Sequence, residues 1–253
     1  MRLPALIAAL VLMASPALAE GLTVSLSSHR IIIRSNFTGA DVVLFGAIGR
    51  DASTISRSGS YDVVVTVRGP KRDIVVREKE RILGFWVNWS SLTFPQIPDY
   101  LAISSSKPLA EIAGEAQRES LRLGLEESLP LPVSKRMPPE EVARNRSSLI
   151  RLKQIERRYI YNATGVTFLN EALFRATVPL PANVPIGVFE VEVKLFSGGA
   201  LLATQNTALE VVKAGFEADM ADVARERPWT YGFVAAFLAV ACGWLASVAF
   251  RRD

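Results

Sequence analysis

The sequence predicts a mainly β protein: an Ig-like β-sandwich ectodomain with an inserted two-helix segment, followed by one transmembrane helix at the C-terminus. Three observations support this prediction. Short runs rich in Val, Ile and Phe recur at roughly 8–12-residue spacing and are separated by turn-forming residues. A charged stretch in the middle of the chain has helical periodicity. The stretch at 229–250 is uncharged and long enough to cross a bilayer.

A series of short β-strands is predicted before the middle of the chain. The clearest is 61–68, where Val63, Val65 and Val67 fall on one face of an extended chain and alternate with residues on the other, as in a half-buried strand. Turns rich in Ser, Asn, Gly and Pro separate the strands. The predicted strands are 23–26, 30–34, 41–49, 61–68, 72–76, 82–89 and 100–104.

The middle of the chain predicts two helices. In 109–129, apolar residues recur on one side and charged residues on the other, as on a helix with one solvated face. Prolines break this pattern, and a second helix is predicted from 140 to about 161, with Gly165 just past its end. The two helices define a predicted insertion at about 109–162, inside a periplasmic β-sandwich-like domain at 20–216.

Strand patterns return after the helices, at 172–180, 188–196 and 201–212. Val191 and Val193 alternate with charged residues, which predicts one buried and one solvated face. The simplest assembly is one sandwich-like unit interrupted by the helical insertion. Two separate β domains are the alternative that the pattern leaves open.

The N-terminal hydrophobic segment predicts a secretory signal peptide at 1–19. Arg2 is followed by a short apolar run and by small residues that end in an A-x-A cleavage site. The apolar run is shorter than the ~20 residues that a membrane span needs, which disfavours an uncleaved anchor. Cleavage after Ala19 is therefore expected.

The C-terminal hydrophobic segment, 229–250, predicts a membrane anchor. Trp229 and Tyr231 lie at its start, where aromatic rings favour the headgroup layer, and Arg251 and Arg252 follow its end. The positive-inside rule then makes 251–253 a cytoplasmic tail, with 217–228 as a juxtamembrane segment. This is the topology of a single-pass type I protein in the inner membrane of a Gram-negative bacterium, with its ectodomain in the periplasm.

The composition argues against several function classes. The only cysteine, Cys242, lies in the predicted span, so the ectodomain contains no disulfide. A net charge of +4 on interspersed residues does not indicate a nucleic-acid surface. His29, the only histidine, is interpreted as a surface or edge residue, and no nucleotide-binding motif is present. We therefore predict no catalytic residue, no metal and no cofactor, and we expect that the protein is not an enzyme.

The aromatic run at 85–89 is the most distinctive local feature. In a strand, Trp86 and Asn88 face away from the other three residues. One of the two sets is predicted to be core. The other is interpreted as core or, alternatively, as an aromatic patch for a ligand or partner. Trp86 and Asn88 are therefore candidate binding residues, and Tyr100 and Arg175 are two further candidates.

Several stretches of the chain carry a family resemblance. They are 36–40, 44–46, 84–88, 98–100, 108–109, 173–176, 181 and 185–187. In these stretches and in both hydrophobic ends, the chain resembles a family of transmembrane proteins found largely in alphaproteobacteria. The resemblance implies no particular activity. The genes of that family look like neighbours, in the genome, of genes for sulfite-exporter-type permeases. The resemblance therefore implies such a transporter as a partner.

These observations predict a non-enzymatic, membrane-anchored periplasmic accessory or interaction protein, associated with a membrane transporter. One alternative is a small-ligand-binding module tethered to the inner membrane, with Trp86 and Asn88 in its pocket. A second alternative, an enzyme that uses carboxylates and Arg175, requires a polar pocket with a strongly perturbed carboxyl group.

Overall fold

The computed structural model describes residues 21–34, 36–49, 60–82, 84–130, 132, 138–213 and 223–249. The predicted signal peptide, Glu20, Arg251, Arg252 and the first half of the predicted juxtamembrane segment (217–222) lie outside these ranges. The strands are β1 (Gly21–Leu26), β2 (Arg30–Ile33), β3 (Gly39–Gly49), β4 (Tyr61–Arg68), β5 (Lys71–Ile82), β6 (Phe85–Pro98), β7 (Leu101–Ser105), β8 (Tyr159–Asn162), β9 (Val166–Phe168), β10 (Leu173–Pro181), β11 (Gly187–Ser197) and β12 (Ala200–Lys213). The helices are α1 (Leu109–Ile112), α2 (Glu115–Leu121), α3 (Pro139–Ile155) and α4 (Pro228–Ala249).

Two sheets have the strand order of an Ig-like sandwich. One sheet runs β1-β3-β10-β9, which corresponds to the A-B-E-D sheet. The other runs β2-β12-β11-β4-β7-β8 and contains the equivalent of strands G, F and C at its centre. β2 pairs with β12, and β8 with β7, in parallel, while the other neighbouring strands are antiparallel. The prediction of a mainly β, Ig-like sandwich is confirmed.

One apolar core fills the space between the two sheets. It includes Leu44 of β3, Val65 of β4, Phe174 of β10, Val193 of β11 and Leu209 of β12, all essentially inaccessible to solvent. These residues alternate along their strands with residues on the outer faces, as the pleat requires. Strands before and after the helical segment therefore share a single interior.

β4 is buried on both faces, whereas its alternation predicted a half-buried strand. Val63, Val65 and Val67 face the sandwich core, but Val64 belongs to a second core and Thr66 is 1% exposed. The second core lies between the outer face of the six-stranded sheet, the base of the β5–β6 hairpin and the helical segment. The prediction failed because the covering layer comes from other parts of the chain and leaves no trace in the periodicity of β4.

The first predicted helix, 109–129, is in fact two short helices, α1 and α2. They are separated at Ala113 and Gly114, which have extended backbone conformations. α2 then ends at Leu121, and its C-cap Arg122 has a left-handed φ of 53° and an N–H that bonds back to the last turn. Most of the predicted apolar face lines the second core, through Leu109, Ile112, Ala113 and Leu123, whereas Ala116 is exposed.

The second predicted helix, 140–161, begins where expected but ends earlier. α3 begins at Pro139, a favourable first-turn position, and ends at Ile155. The residues that follow form β8, because they pair in parallel with β7 at the edge of the six-stranded sheet. β9, which pairs with β10, is also not predicted from the sequence. Both strands are short, and their pairing partners rather than their own composition define them.

The apolar helix α4 agrees with the predicted anchor. Pro228–Ser247 is long and apolar enough to cross a membrane, and none of it is buried against the rest of the protein. It is the one candidate span in the described part of the chain. All residues of the two described apolar cores lie between Leu26 and Val211. A fragment of residues 21–213 therefore retains both of them.

Gly46 of β3 makes room for an aromatic ring in the sandwich core. It pairs directly with Phe174 of β10, whose fully buried ring occupies the space where a Cβ atom of residue 46 would lie. A larger residue at position 46 would have to displace this ring, and a close-packed core resists such a shift.

We expect Gly46→Ala to lower the free energy of unfolding of the 21–213 fragment by about 1–3 kcal/mol, because the added methyl group overpacks the core. Urea denaturation measures this change. Gly114→Ala is the matched control: its Cβ would meet open space, so we expect only the capping loss at the N-cap of α2, at most about 1 kcal/mol. Equal effects of the two substitutions would contradict the assigned packing.

Candidate functional site

The helical segment and the base of the β5–β6 hairpin form a second layer on the six-stranded sheet. A buried carboxylate, Asp99, joins this second layer to the sandwich. It is 1% exposed. Its Oδ1 accepts hydrogen bonds from Lys153 Nζ at 2.6 Å and from Arg158 Nη1 at 3.0 Å, and its Oδ2 lies 2.5 Å from Arg72 Nη2. The three cations come from α3, from the turn after α3 and from β5. Three separate pieces of chain therefore meet at this carboxylate.

The surrounding cations keep Asp99 ionised. Burial by itself raises the pKa of a carboxyl group, but the hydrogen bond from Lys153 and the charges of Lys153, Arg158 and Arg72 outweigh it and lower the pKa of Asp99 below its ordinary value of 3.8. A carboxylate held in this form is a poor general acid at neutral pH. Its arrangement fits a structural ion-pair cluster.

Tyr100, one of the candidate binding residues, lies in the sandwich core. Its side chain is 0% exposed, and its hydroxyl donates a hydrogen bond to the carbonyl oxygen of Pro179 at 2.5 Å. Its ring packs against Phe189 with 5.6 Å between the centroids. Burial, with a smaller contribution from Asp41, raises the pKa of Tyr100 above its ordinary value. The side chain thus connects the two sheets, and no part of it faces solvent.

Arg175, another candidate, is exposed on the outside of the sandwich, whereas Tyr100 lies in its core. It is exposed on β10, at a register position between Phe45 of β3 and Thr167 of β9. Its neighbours in sequence, Phe174 and Ala176, point into the sandwich core, so Arg175 belongs to the outer face of the four-stranded sheet. The structure does not bring Arg175 and Tyr100 together in one site.

Trp86 and Asn88 lie near the tip of the β5–β6 hairpin. The base of this hairpin packs on the second core through Leu92 and Phe94, while the tip extends beyond that layer. Phe85 is 75% exposed, Trp86 70% and Val87 42%, and Asn88 is also exposed. The prediction that one set of this run forms core is therefore wrong for Phe85 and Val87. The run has the composition of a buried strand, but its described residues, 85–88, are all exposed.

A charged pocket lies where the six-stranded sheet, the hairpin base and the end of α2 meet. Its volume is about 490 Å³, within the usual range for small-molecule sites of roughly 300–1,000 Å³. Its floor is formed by the outer-face residues of β4 and β11, because the alternate residues of both strands point into the sandwich core. Sequence alternation identified these outer-face residues, but only the fold brings them under the helical segment.

Glu192 of β11 is the centre of the pocket floor. Its Oε2 accepts a hydrogen bond from Arg68 Nη1 at 2.7 Å, and its Oε1 lies 2.5 Å from Lys194 Nζ. Lys194 is 5% exposed. Burial alone would raise the pKa of Glu192, but the hydrogen bonds and charges of Lys194 and Arg68 lower it. The floor is thus a nearly buried group of three charges.

The rim of the pocket adds positive charge. Lys71 and Arg122 line it, and neither has an ion-pair partner among the described residues. The lining as a whole contains four cations and two carboxylates, an excess of two positive charges. These residues are Arg68, Lys71, Arg122 and Lys194, with Glu190 and Glu192. Such a lining suits a small anion better than a neutral or cationic molecule.

The pocket, the exposed hairpin and the apolar α4 all lie within a part of the chain that matches one protein family. The family described as Putative transmembrane protein (Alph_Pro_TM) matches residues 21–252. The chain belongs to this family. The resemblance found in the sequence is thereby confirmed, and this Alph_Pro_TM chain is a membrane protein with a single candidate span in its described part. No curated protein matches it.

We expect Asp99→Asn to lower the free energy of unfolding at neutral pH by about 3–5 kcal/mol, because it leaves the nearly buried Lys153 with only the more distant, half-exposed Glu156 as a counter-charge. The pH dependence has a defined sign. Because the pKa of Asp99 is lowered in the folded state, its contribution is complete above the unfolded value of 3.8 and is lost as the pH falls further. The difference in free energy of unfolding between the wild type and Asp99→Asn should therefore become smaller below about pH 4.

Urea denaturation of the 21–213 fragment as a function of pH measures both effects. Glu210→Gln is the control, since Glu210 pairs with Arg30 on the surface, where their side chains are 43% and 63% exposed. We expect that variant to change stability by at most about 1 kcal/mol. If Asp99→Asn lowers the free energy of unfolding no more than Glu210→Gln does, Asp99 does not stabilise the contact between the second layer and the sandwich.

Proposed function

We propose that the chain is a non-enzymatic, type I accessory protein that holds an Ig-like domain at the periplasmic face of the inner membrane, next to a membrane transporter. The observation that carries this proposal is the separation of α4 from the domain. The span Pro228–Ser247 has no residue buried against the rest of the protein, and both described cores are formed without it. An apolar surface of this size needs lipid or another apolar helix around it.

The orientation rests on the two ends of the chain. The signal peptide predicted at 1–19 directs the domain across the membrane, and Arg251 and Arg252 favour a cytoplasmic C-terminus. The anchor then confines the domain to the membrane surface, where it raises the effective concentration for other membrane proteins. The family resemblance supports a sulfite-exporter-type permease as the partner.

A non-enzymatic role is supported by the state of the buried acids. The pKa values of Asp99 and Glu192 are lowered by cations of the same chain. General acid catalysis at neutral pH needs the opposite, a raised carboxyl pKa. Both groups therefore act as fixed negative charges in ion-pair clusters.

Crosslinking of the full-length protein in its native membrane, followed by mass spectrometry, tests the accessory role. We expect a membrane transport protein to be enriched, because anchor and domain together present the chain to it. One control carries α4 and the flanking segments on an unrelated domain, and a second carries residues 21–213 on an unrelated span. If neither control lowers the enrichment, or if no integral membrane protein is enriched, the accessory role is rejected.

The charged pocket favours a second function, a tethered module that binds a small ligand. Lys71 and Arg122 have no charge partner among the described residues, and the pocket has ligand-sized volume. The site differs from the one expected in the sequence, since Trp86 and Asn88 are not among its lining residues. The excess positive charge points to an anion such as a carboxylate or an inorganic oxyanion.

We expect phosphate, sulfate or a dicarboxylate to raise the melting temperature of the 21–213 fragment beyond the effect of chloride at equal ionic strength. A ligand at 100 times its Kd stabilises by about 2.7 kcal/mol. Lys71→Gln with Arg122→Gln should abolish the shift, whereas Arg175→Gln, which removes an exposed cation elsewhere, should retain it. A shift that survives in the rim variant, or none beyond chloride, would exclude this pocket as an anion site.

A further inference from the structure

The strand register of the β5–β6 hairpin places its cations on one face. Arg81 lies directly opposite Trp86, and Lys79 lies opposite Asn88. Residues that pair across an antiparallel ladder share a face, and alternate residues along a strand return to it. Arg77 is therefore on the same face as Lys79 and Arg81. All five residues are exposed.

Glu78 lies on the other face of β5, because it alternates with Arg77 and Lys79, and its carboxylate lies 3.9 Å from Arg144 of α3. Arg77, Lys79 and Arg81 have no ion-pair partner among the described residues. Among the described side chains, this face of the hairpin tip thus has three unpaired cations and no acidic residue.

The end of the hairpin adds exposed apolar side chains next to this charge. Trp86 is 70% exposed and shares the face of the cations, whereas Phe85 and Val87, which are 75% and 42% exposed, lie on the opposite face of the same tip. They follow the turn at Gly84, whose positive φ of 87° suits a glycine. Three adjacent apolar residues at a projecting tip are costly in water unless another phase or partner covers them.

The combination of these features favours a lipid surface over a protein partner. Lys79 and Arg81 share a face with Trp86, so exposed cations lie next to an exposed indole ring. Trp rings favour the headgroup layer of a bilayer, and Lys and Arg next to them bind anionic lipids. The chain is a membrane protein with a candidate span, so a bilayer is within reach of its domain.

We propose that the hairpin tip, formed by Arg77, Lys79, Arg81 and residues 84–88, docks on an anionic phospholipid surface. Phe85 and Trp86 enter the interfacial layer, and Arg77, Lys79 and Arg81 contact the headgroup phosphates. The hairpin then forms a second attachment of the domain, in addition to α4, and limits the orientations that the domain adopts at the membrane. This attachment needs no transporter, so its test is independent of the accessory role.

Co-sedimentation of the 21–213 fragment with vesicles tests the proposal without α4. We expect binding to vesicles that contain phosphatidylglycerol, weak binding to pure phosphatidylcholine, and a loss of binding as salt is raised. The double substitutions Lys79→Glu with Arg81→Glu, and Phe85→Ser with Trp86→Ser, should each lower the partition coefficient roughly tenfold or more.

Matched controls remove a charge or an apolar residue from the sandwich. Arg175→Glu changes an exposed cation on the four-stranded sheet, and Val188→Ser changes a residue of β11 that is 63% exposed. Both should bind vesicles like wild type, and thermal melts verify that all variants are folded. Absence of binding to phosphatidylglycerol vesicles, or equal losses in the tip and control variants, overturns the proposal.

A second measurement uses the full chain in vesicles. The sequence contains one cysteine, Cys242, so Cys242→Ser with Asn88→Cys allows a single environment-sensitive fluorophore at the hairpin. We expect a blue shift of its emission in phosphatidylglycerol vesicles relative to phosphatidylcholine, and no shift for a label introduced by Arg175→Cys. If the shift is absent, or if the tip instead mediates a dimer that sedimentation velocity detects without lipid, the lipid assignment is wrong.

Discussion

The buried carboxylate of Asp99 is the interaction on which the layered structure depends. A carboxylate removed from water is costly by several kcal/mol unless charges and hydrogen bonds compensate it. Here the compensation comes from Lys153, Arg158 and Arg72, which belong to different elements. Each of these elements must therefore hold its position at the end of the sandwich for the charge to be stable. The helical segment and the hairpin base are joined to the sheet by this requirement as well as by apolar packing.

The second layer determines where chemistry is possible on this domain. By covering the outer face of β4 and β11, it turns solvated strand positions into the floor of a charged pocket, in which Glu192 and Lys194 are largely shielded from water. By supporting only the base of the β5–β6 hairpin, it leaves the tip exposed. The pocket and the tip thus both result from two segments added to an Ig-like fold, the β5–β6 hairpin before β7 and the helical segment after it.

The stretches that stand out in the sequence have different physical roles in the structure. Gly46 and Phe174 lie in two separate stretches and pair face to face in the sandwich core. Asp99 and Tyr100 are adjacent in the chain, but one compensates buried cations and the other connects the two sheets through Pro179. Trp86 contributes to neither core. Two large aromatic residues therefore have opposite environments: Tyr100 is packed in the core and Trp86 is exposed to solvent. The residue type by itself does not distinguish them.

The sequence by itself determined the fold class, the positions of the strands that form the sandwich core and the apolar C-terminal helix, because these depend on local periodicity and on the length of an uncharged run. It did not locate the β5–β6 hairpin, because the predicted strand 82–89 spans its turn. It also identified which face of β11 is apolar. Only the tertiary structure decided that β4 is buried on both faces, that Tyr159–Asn162 is a strand, that Tyr100 is core and that Trp86 is exposed. Each of these depends on which distant segment covers a residue, and a side chain's own periodicity contains no information about the layer that another part of the chain supplies.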